Sequence, residues 1–446
     1  MKIAAFVLAL TFATLPTLGS AQDQQLGKVR PSYRYEKTLI NVAAFNVTGT
    51  SLEPETLSRI IRNDLTLSGF FSMPPDQRWA NTLNVSDARS GNINWAEWEK
   101  MGAKHYLMGR VTESGANTSV EVLLYDVDSK SLVINRRVVT APTAQIRMLA
   151  HQISDIVVKF TQGVDGVART RLTFVSELIP KNREVSVMDW DGFDPRQMTK
   201  TGNLVATPSW GLNGTEIYYT SYVGNRARVF GTQLKQDASL NFSPSSQWII
   251  ADYGGSNHTP SWSATAKRVA LVLSRDGNSE IYSALRDGSD LRRLTETAFT
   301  EGSATWSPDG SKIAFVSNDS GAPHVFVMNA DGTGRRRLTT RGGWNDEPNW
   351  SPDGRRIAFV SRNSGTNDIY VCEVSGEASS YKRLTMGQGN NEQPSWAPNN
   401  THLAFTSDRT GRSQIYIMLD DGSAQTVITA KGTNRSPDWG PIPPTR

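Results

Sequence analysis

The sequence predicts a mostly β protein, a six-bladed β-propeller preceded by a small α+β domain, and two repeated features carry this prediction. A tryptophan follows a proline or alanine by two residues six times, at spacings of 52, 44, 44, 46 and 43 residues. Strand patterns and tight turns fill the stretches between them. Because one such unit cannot bury both its faces alone, this period is typical of radially stacked four-stranded sheets. The six signature tryptophans are Trp210, Trp262, Trp306, Trp350, Trp396 and Trp439.

Each repeat also contains the turns and strands that one blade needs. Ser-Pro-Asp-Gly at 307–310 and at 351–354 combines residues that favour a tight reversal between two strands. Apolar runs follow the turns without strict alternation, as expected of strands that are covered on both faces. A third strand and an outer strand ending in Arg-Leu-Thr complete the predicted blade. The apolar runs lie at 269–273, 313–316, 357–360 and 403–406.

The two ends of the propeller chain are predicted to build one blade together. Residues 171–176, 184–188 and 197–199 have the patterns of strands two, three and four, without a first strand before them. Residues 437–439, Pro-Asp-Trp, have the pattern of a first strand with seven residues after it. Pairing the two pieces gives five continuous blades and one split blade, and it removes open sheet edges that would invite aggregation.

The chain is predicted to begin with a secretory signal peptide. Lys2 precedes an apolar run, and small residues precede a cleavage site after Ala21. The run is too short for a stable membrane span. The predicted segments are a signal peptide at 1–21, a flexible N-terminal segment at 22–37, an α+β domain at 38–162 and the propeller at 167–446.

Hydrophobic periodicity predicts helices around an antiparallel meander in the α+β domain. The last helix is expected to place one apolar stripe against the sheet. That stripe consists of Ile146, Leu149, Ile153, Val157 and Phe160. The other predicted elements are strands at 39–47, 106–111, 120–127 and 132–139, a helix at 54–67 and a short helix at 95–101.

Composition argues against several classes of partner. Without the signal peptide the chain would carry 46 basic and 43 acidic residues, too near balance for a typical nucleic-acid-binding protein. No direct insertion into a membrane is indicated, and a monomer is expected. The lone Cys372 cannot form an intramolecular disulfide and lies in a predicted buried strand, where its thiol should be inert.

The sequence contains no motif that indicates catalysis. G-x-S-x-G, H-E-x-x-H, P-loop and G-x-G-x-x-G motifs are absent, and the five histidines lack the spacing of metal ligands. The protein is therefore predicted not to be an enzyme and to need no cofactor. The histidines are His105, His151, His258, His324 and His402.

Candidate binding residues lie immediately before the signature tryptophans. In a four-stranded blade, the connections from strand four to the next strand one share a face with those from strand two to strand three. These loops are rich in amides, carboxylates and hydroxyls, and they would converge around the central channel as a ring suited to a polar peptide or protein surface. Loops are also polar simply because water covers them. The candidates are Asn257, His258, Thr259, Glu301, Gly302, Asn345, Asp346, Glu347, Asn391, Glu392, Asn434 and Arg435.

Two other functional classes stay open on the residues alone. Related propellers accompany the catalytic α/β domains of peptidases, so the propeller could be a gate that controls access to the catalytic domain of a hydrolase. It could instead bind a small molecule or a cation such as Ca²⁺ in its channel, because Ca²⁺ prefers oxygen ligands. The carboxylates available for that cation are Glu301, Asp346, Glu347 and Glu392.

In the order of its segments the chain resembles the TolB family of Gram-negative bacteria. The resemblance rests on the signal peptide, the small α+β domain, repeats of the W-S-P-D-G-x-x-I-A-F-V-S type and a C-terminal closing strand, and it covers essentially the whole mature chain. Two departures are Ala304 in place of a proline before Trp306, and an insertion around 235–247.

The resemblance implies a non-enzymatic periplasmic adaptor of the Tol-Pal system that supports outer-membrane integrity and constriction at cell division. It implies that the channel face binds the lipoprotein Pal through the candidate residues above, and that the N-terminal segment contacts TolA, with other Tol-Pal components as further partners. The residues of that segment that could supply docking contacts are Arg30, Tyr33, Arg34 and Tyr35.

Overall fold

The computed structural model describes residues 35–48, 53, 55–74, 93–100, 102–363, 365–375 and 380–444. The predicted signal peptide and nearly all of the predicted flexible segment lie outside the described residues. Within them, a mixed sheet with helices is followed by six four-stranded sheets. The predicted fold class, a six-bladed β-propeller preceded by a small α+β domain, is therefore confirmed.

The α+β domain is a mixed sheet with two long helices packed on one face. Its elements are β1 (Thr38–Val42), β2 (Asn46–Thr48), α1 (Glu55–Leu67), β3 (Phe71–Ser72), α2 (Trp95–Lys100), β4 (His105–Ser114), β5 (Asn117–Asp126), β6 (Ser131–Pro142) and α3 (Ile146–Gln162). The strand order is β3-β1-β4-β5-β6, with β2 also paired to β4. Ile61 of α1 and Ile153 of α3 pack with the sheet in one buried cluster.

Two local expectations differ from the structure. The single strand expected at 39–47 is two strands, because the chain leaves the ladder at Phe45, whose amide donates to Ser58 Oγ (3.2 Å) while its ring is buried. Phe160, expected on the buried stripe of α3, is 48% exposed. Phe160 lies on the same face of α3 as Leu149 and Ile153, but in the last turn of the helix, where its ring is left partly in water.

The remaining strands form the six blades of the propeller. Blades 1 to 3 contain β10 (Leu204–Trp210), β11 (Glu216–Val223), β12 (Arg226–Gln236) and β13 (Phe242–Ala251); β14 (Asn257–Ser263), β15 (Arg268–Leu273), β16 (Glu280–Ala284) and β17 (Arg292–Arg293); β18 (Glu301–Trp306), β19 (Lys312–Ser317), β20 (His324–Asn329) and β21 (Arg336–Arg337). Blades 4 and 5 contain β22 (Asn345–Trp350), β23 (Arg356–Asn363), β24 (Thr366–Glu373) and β25 (Lys382–Arg383); β26 (Asn391–Trp396), β27 (His402–Ser407), β28 (Gln414–Leu419) and β29 (Thr426–Val427). The sixth sheet, here the closing blade, contains β30 (Thr433–Trp439), β7 (Arg171–Ile179), β8 (Asn182–Asp189) and β9 (Arg196–Gln197).

The closing blade joins the two ends of the propeller chain, as predicted. β30 pairs antiparallel with β7, from Thr433 opposite Glu177 to Trp439 opposite Leu172. The Trp439 side chain is buried, and its Nε1 donates to Thr170 Oγ1 (2.7 Å). This pairing is the seam of the ring.

Strand two of each blade lies between neighbouring sheets and is correspondingly apolar. Phe315, Phe359 and Phe405 occupy equivalent positions in β19, β23 and β27 and are fully buried. Cys372, in strand three of blade 4, is also buried, and burial raises the pKa of its thiol to about 12. A thiol that stays protonated is a poor nucleophile, so this environment favours the expected inertness of Cys372.

The insertion around 235–247 lengthens the outer hairpin of blade 1. β12 and β13 have eleven and ten residues, whereas the outer strands of the other blades have two each. The loop of this hairpin contacts the α+β domain, where Gln145 Nε2 donates to Ala238 O (3.0 Å). The departure from the repeat pattern is therefore an extension within the blade.

The α+β domain rests on the face of the propeller that carries the tight turns. His402 Nε2, in blade 5, donates to Ser68 O (2.9 Å). Asp421, in the β28–β29 turn, accepts a hydrogen bond from Tyr35 N (3.2 Å). The connections from strand four to strand one lie on the opposite face, here called the mouth face.

Candidate functional site at the propeller channel

Every inner strand has a bulge at the same place. The register with strand two shifts in all six blades, for example between Glu392 and Ser395 in β26. At each bulge a residue other than glycine adopts a left-handed φ between 47° and 56°. This backbone region is unfavourable for such residues, so the packing of the ring must impose it. The bulge residues are Thr207, Thr259, Ser303, Glu347, Gln393 and Ser436.

The predicted candidate residues lie in the inner strands and not in connecting loops, which corrects the expectation. Each inner strand begins directly at the junction between two blades. The asparagine or glutamate at the start of the strand is consequently buried, with at most 3% exposure. These buried residues are Asn257, Glu301, Asn345, Asn391 and Asn434.

The recurrent asparagine bonds its inner strand to strand three of the preceding blade. Asn391 Nδ2 donates to Asp368 Oδ1 (3.2 Å), and Asn434 Nδ2 donates to Gln414 Oε1 (2.9 Å). Buried amides require partners, and here the partners belong to the fold itself. The recurrence of asparagine therefore has a structural explanation, and contact of these residues with a partner protein stays a prediction.

The Arg-Leu-Thr motif of strand four forms bonds at the same junction. Thr385 Oγ1 donates to Asp368 Oδ1 (2.7 Å) and accepts from Ile369 N (2.9 Å), while Arg383 forms an ion pair with Asp368. The junctions are thus polar, buried and bonded within the fold, which makes them rigid. Among the buried side-chain atoms of the five strand-start residues, only Glu301 Oε2 and Asn345 Oδ1 have no hydrogen-bond partner in the described part of the chain. The equivalent threonines that accept from strand three are Thr199, Thr295, Thr339 and Thr429.

A cavity of about 300 Å³ lies at the centre of the ring. The inner strands line it, and the structure brings seven of the twelve predicted face residues into its wall. Glu392 is turned aside, because its Oε1 accepts from Asn367 Nδ2 (2.5 Å). The seven lining residues are His258, Thr259, Glu301, Gly302, Asp346, Glu347 and Arg435.

Carboxyl groups dominate the electrostatics of the cavity. Burial raises the pKa of Glu347 well above its ordinary range, and the neighbouring Glu392 and Asp346 raise it further. Burial also raises the pKa of Asp346, although Ser303 Oγ donates to its Oδ1 (2.8 Å). The pKa of Asp438 rises from 3.8 to about 6 for the same reason. The cavity wall therefore holds acidic groups that are costly to ionise.

Two arginines of the closing blade place positive charge in the cavity wall. Arg435 lines the cavity, and its buried Nε has no hydrogen-bond partner in the described part of the chain. Arg183 also lines it but is paired with Glu177 (2.8 Å). Burial lowers the pKa of His258 to about 4, so this histidine is neutral. The site can accept polar groups of a ligand through both acidic and basic side chains.

Asp438, Gln393 and Ser436 also line the cavity, and of these Asp438 was not expected at a binding site. Asp438 Oδ2 accepts from Trp210 N (2.7 Å), and Gln393 Oε1 accepts from Ser436 N (2.8 Å). Side chains of one inner strand thus hold the backbone of the next. Each lies at a fixed offset before a signature tryptophan, so the repeat indicates these positions but not their burial.

The N-terminal segment enters the structure at Tyr35. Its amide bonds to Asp421, and its ring packs edge-on against Phe70 with centroids 5.3 Å apart. The other three predicted docking residues, Arg30, Tyr33 and Arg34, lie outside the described residues. Tyr35 itself lies at the junction of the two domains.

Among the described residues, one group of side chains has a spacing that could hold a metal ion. It consists of Asp64, His151 and Asp191, none of which lines the cavity. None of the helices that the structure describes has the length and apolar character needed to cross a membrane.

Both domains match known protein families. Residues 33–133 match the family described as the TolB amino-terminal domain. Residues 158–364 and 343–442 match the family described as the TolB beta propeller domain. Together the two matches cover most of the chain.

Individual relatives agree with the family matches. The chain is 30% identical over 304 residues to the Tol-Pal system protein TolB of Desulfosudis oleivorans. This alignment covers 67% of this chain and 66% of that protein. It is 31% identical over 241 residues to the protein TolB homolog of Chlorobaculum tepidum, over 54% and 52% of the two chains. The aligned stretches thus span from about half to just under two thirds of these relatives. The crystal structure of TolB from Acinetobacter baumannii shares the fold, with a TM-score of 0.77 at 24% identity over 91% of this chain and 97% of that one.

Neutralising Asp438 is expected to remove part of the pH dependence of stability. Because its pKa is raised to about 6 in the folded protein, the stabilisation from its protonated form is complete below about pH 4 and is lost as the pH rises through 6. The free energy of unfolding of Asp438→Asn, relative to that of the unmodified protein, should therefore rise by up to about 3 kcal/mol between about pH 4 and pH 8.

Urea unfolding at several pH values measures this difference. A suitable control is Asp309→Asn in an exposed turn, where hydrogen bonds from Ser307 and Ser311 lower the pKa. That carboxyl is ionised throughout the range, so the control should show little pH dependence. A difference for Asp438→Asn that does not vary with pH would refute the assignment.

Proposed function

Because this chain belongs to the TolB family, we propose that it is a non-enzymatic periplasmic adaptor of the Tol-Pal system. In this proposal the mouth face of the propeller binds Pal, the N-terminal segment binds TolA, and the assembly supports outer-membrane integrity and constriction at cell division. The observation that carries the proposal is the presence of both family domains in one chain, together with a polar cavity lined by all six inner strands.

Exposed apolar side chains on the mouth face support a protein partner. Leu178 and Ile179, at the tip of the β7–β8 hairpin, are 67% and 64% exposed. Phe299 and Met386, in the connections before β18 and β26, are also exposed. Large apolar side chains around a polar pocket are common at protein–protein interfaces. A folded surface such as that of Pal could cover them, whereas a small ligand in the cavity would leave them in water.

The cavity would supply specificity to this interface. A partner group that enters it meets the carboxyl groups of Asp346 and Glu347 and the guanidinium of Arg435 in a partly desolvated space. Charges in such a space reward a complementary partner and penalise a mismatched one strongly. We therefore expect substitutions in the cavity to alter the choice of partner more than substitutions on the rim.

A chain of aromatic rings leads from the N-terminal segment to the closing strand. Tyr35 packs on Phe70, Phe70 packs on His402 with centroids 5.5 Å apart, and His402 lies 6.3 Å from Trp439. Trp439 ends β30, the strand that also brings Arg435 to the cavity. If release of the segment shifts these rings, TolA binding and Pal binding would be linked by one coupling free energy, equal in both directions.

A cation such as Ca²⁺ is a second candidate ligand of the cavity. The specific observation in its favour is the group of carboxyls whose pKa values burial raises, because a divalent ion would neutralise them. Calorimetric titration with calcium chloride should then give a saturable heat that disappears in Glu347→Gln. The same heat in protein and variant, or no heat in either, would exclude a calcium site at Glu347.

Removing the apolar rim is expected to weaken Pal binding. In the double variant Leu178→Ser, Ile179→Ser, the loss of two exposed apolar contacts should lower the affinity for purified Pal at least about tenfold. Calorimetry or surface plasmon resonance measures the dissociation constant. Leu285→Ser is the matched control, since Leu285 is an exposed leucine in a tight turn on the opposite face. Equal affinities of the double variant and the control would contradict Pal binding at the rim.

Deleting residues 22–34 is expected to abolish TolA binding while the propeller stays folded. The deletion leaves Tyr35 and its contacts in place, so circular dichroism and thermal unfolding should change little. A pull-down with the purified periplasmic part of TolA measures the loss. Undiminished capture of TolA by the shortened protein would show that the contact lies elsewhere.

A further inference from the structure

Six charged side chains meet where the α+β domain rests on the closing blade. Three of them belong to helices of the domain and three to the blade, and three are acidic. They are Asp64, Arg147 and His151 on the domain side, and Arg171, Asp189 and Asp191 on the blade side. When the histidine is protonated the charges balance, so that none is left buried without compensation.

His151 lies at the centre of this network and is 1% exposed. Its Nδ1 is 2.8 Å from Asp64 Oδ2, and its Nε2 is 3.8 Å from Asp189 Oδ2. Through its two ring nitrogens His151 thus faces one carboxylate in each domain, Asp64 in the α+β domain and Asp189 in the closing blade.

Further bonds cross the boundary around it. Trp190 Nε1, in the turn after β8, donates to Asp64 Oδ1 (3.1 Å). Arg147 Nε donates to Asp189 Oδ2 (2.9 Å), and the Arg147 guanidinium lies over the ring of Phe193, 3.8 Å from its centroid. Trp190 is fully buried. Two helices of the domain, α1 and α3, therefore contact the turn that joins β8 to β9.

The network shares a stretch of backbone with the seam. Arg171, the first residue of β7, donates from Nε to Asp189 Oδ1 (3.0 Å), and its carbonyl accepts from Gly440 N (2.8 Å). Thr170, immediately before it, accepts the indole of Trp439. A displacement of the network would therefore act on the pairing of β7 with β30.

The seam is the one strand-one/strand-two ladder of the six sheets whose strands are not neighbours in the sequence. In the five other blades a short turn connects strands one and two, whereas β30 and β7 come from opposite ends of the propeller chain. Five residue pairs hold them together. Loss of this pairing would expose two strand edges and take Arg435 and Ser436 out of the cavity wall.

We propose that the α+β domain is a clasp on the seam. Its charge network with the closing blade keeps β30 paired with β7, so the cavity depends on a domain none of whose described residues lines it. This inference concerns the ring itself and holds whichever partner binds the mouth face.

Hydrogen exchange of the full chain tests the clasp. In Asp64→Asn, the amides of 433–439 and 171–177 should lose protection by about tenfold or more, while the β22–β23 ladder of blade 4 changes by less than about twofold. Glu55→Gln is the matched control on the same helix, because Glu55 pairs with Arg62 at the surface (2.8 Å) and does not belong to the charge network. The control should leave the seam as protected as in the unmodified protein.

Arg147→Gln provides a second variant if Asp64→Asn does not fold. The Arg147 side chain is 22% exposed, so its replacement should disturb the core less than that of the buried Asp64. It still removes both ion pairs to the blade. A selective loss of protection at the seam supports the clasp. Equal loss in all blades, or a seam that exchanges as in the unmodified protein, overturns it.

Discussion

The pairing of β30 with β7 is the interaction on which the rest of the structure depends. Without it the blades would form an open row with unpaired strands at both ends. With it, six inner strands converge around one axis, and the cavity acquires a continuous wall. The mouth face is one continuous surface only because this ring is closed.

Closure imposes its geometry on every inner strand. The bulge residues hold a left-handed backbone without glycine, and Glu392 and Asp346 are brought close enough to Glu347 to raise its pKa further than burial alone does. Both arrangements are unfavourable by themselves, and the internally bonded blade junctions maintain them. Strain that the surrounding fold sustains in this way is often found at binding sites. The rigid junctions and the acidic cavity are therefore parts of one arrangement.

The sequence predicted the number of blades and the split blade because both follow from a repeat that is visible in the chain. It did not predict that Asn391 and its equivalents are buried, because a polar residue before a strand looks the same whether water or a neighbouring blade satisfies its amide. Asp438 was missed because its burial depends on the other inner strands. The contact of Asp64 with His151 joins residues 87 positions apart, a separation that no local pattern can reveal.

Cross-linking of the seam tests the central claim most directly. Thr433 and Glu177 lie opposite each other in the β30–β7 ladder, and Cys372 is buried and should not compete. In the variant with Thr433→Cys and Glu177→Cys, mild oxidation of the folded protein is predicted to form the intramolecular disulfide almost completely and to raise the Tm. Cross-linking that fails in the folded protein, or that forms only between molecules, would contradict a ring closed by these two strands.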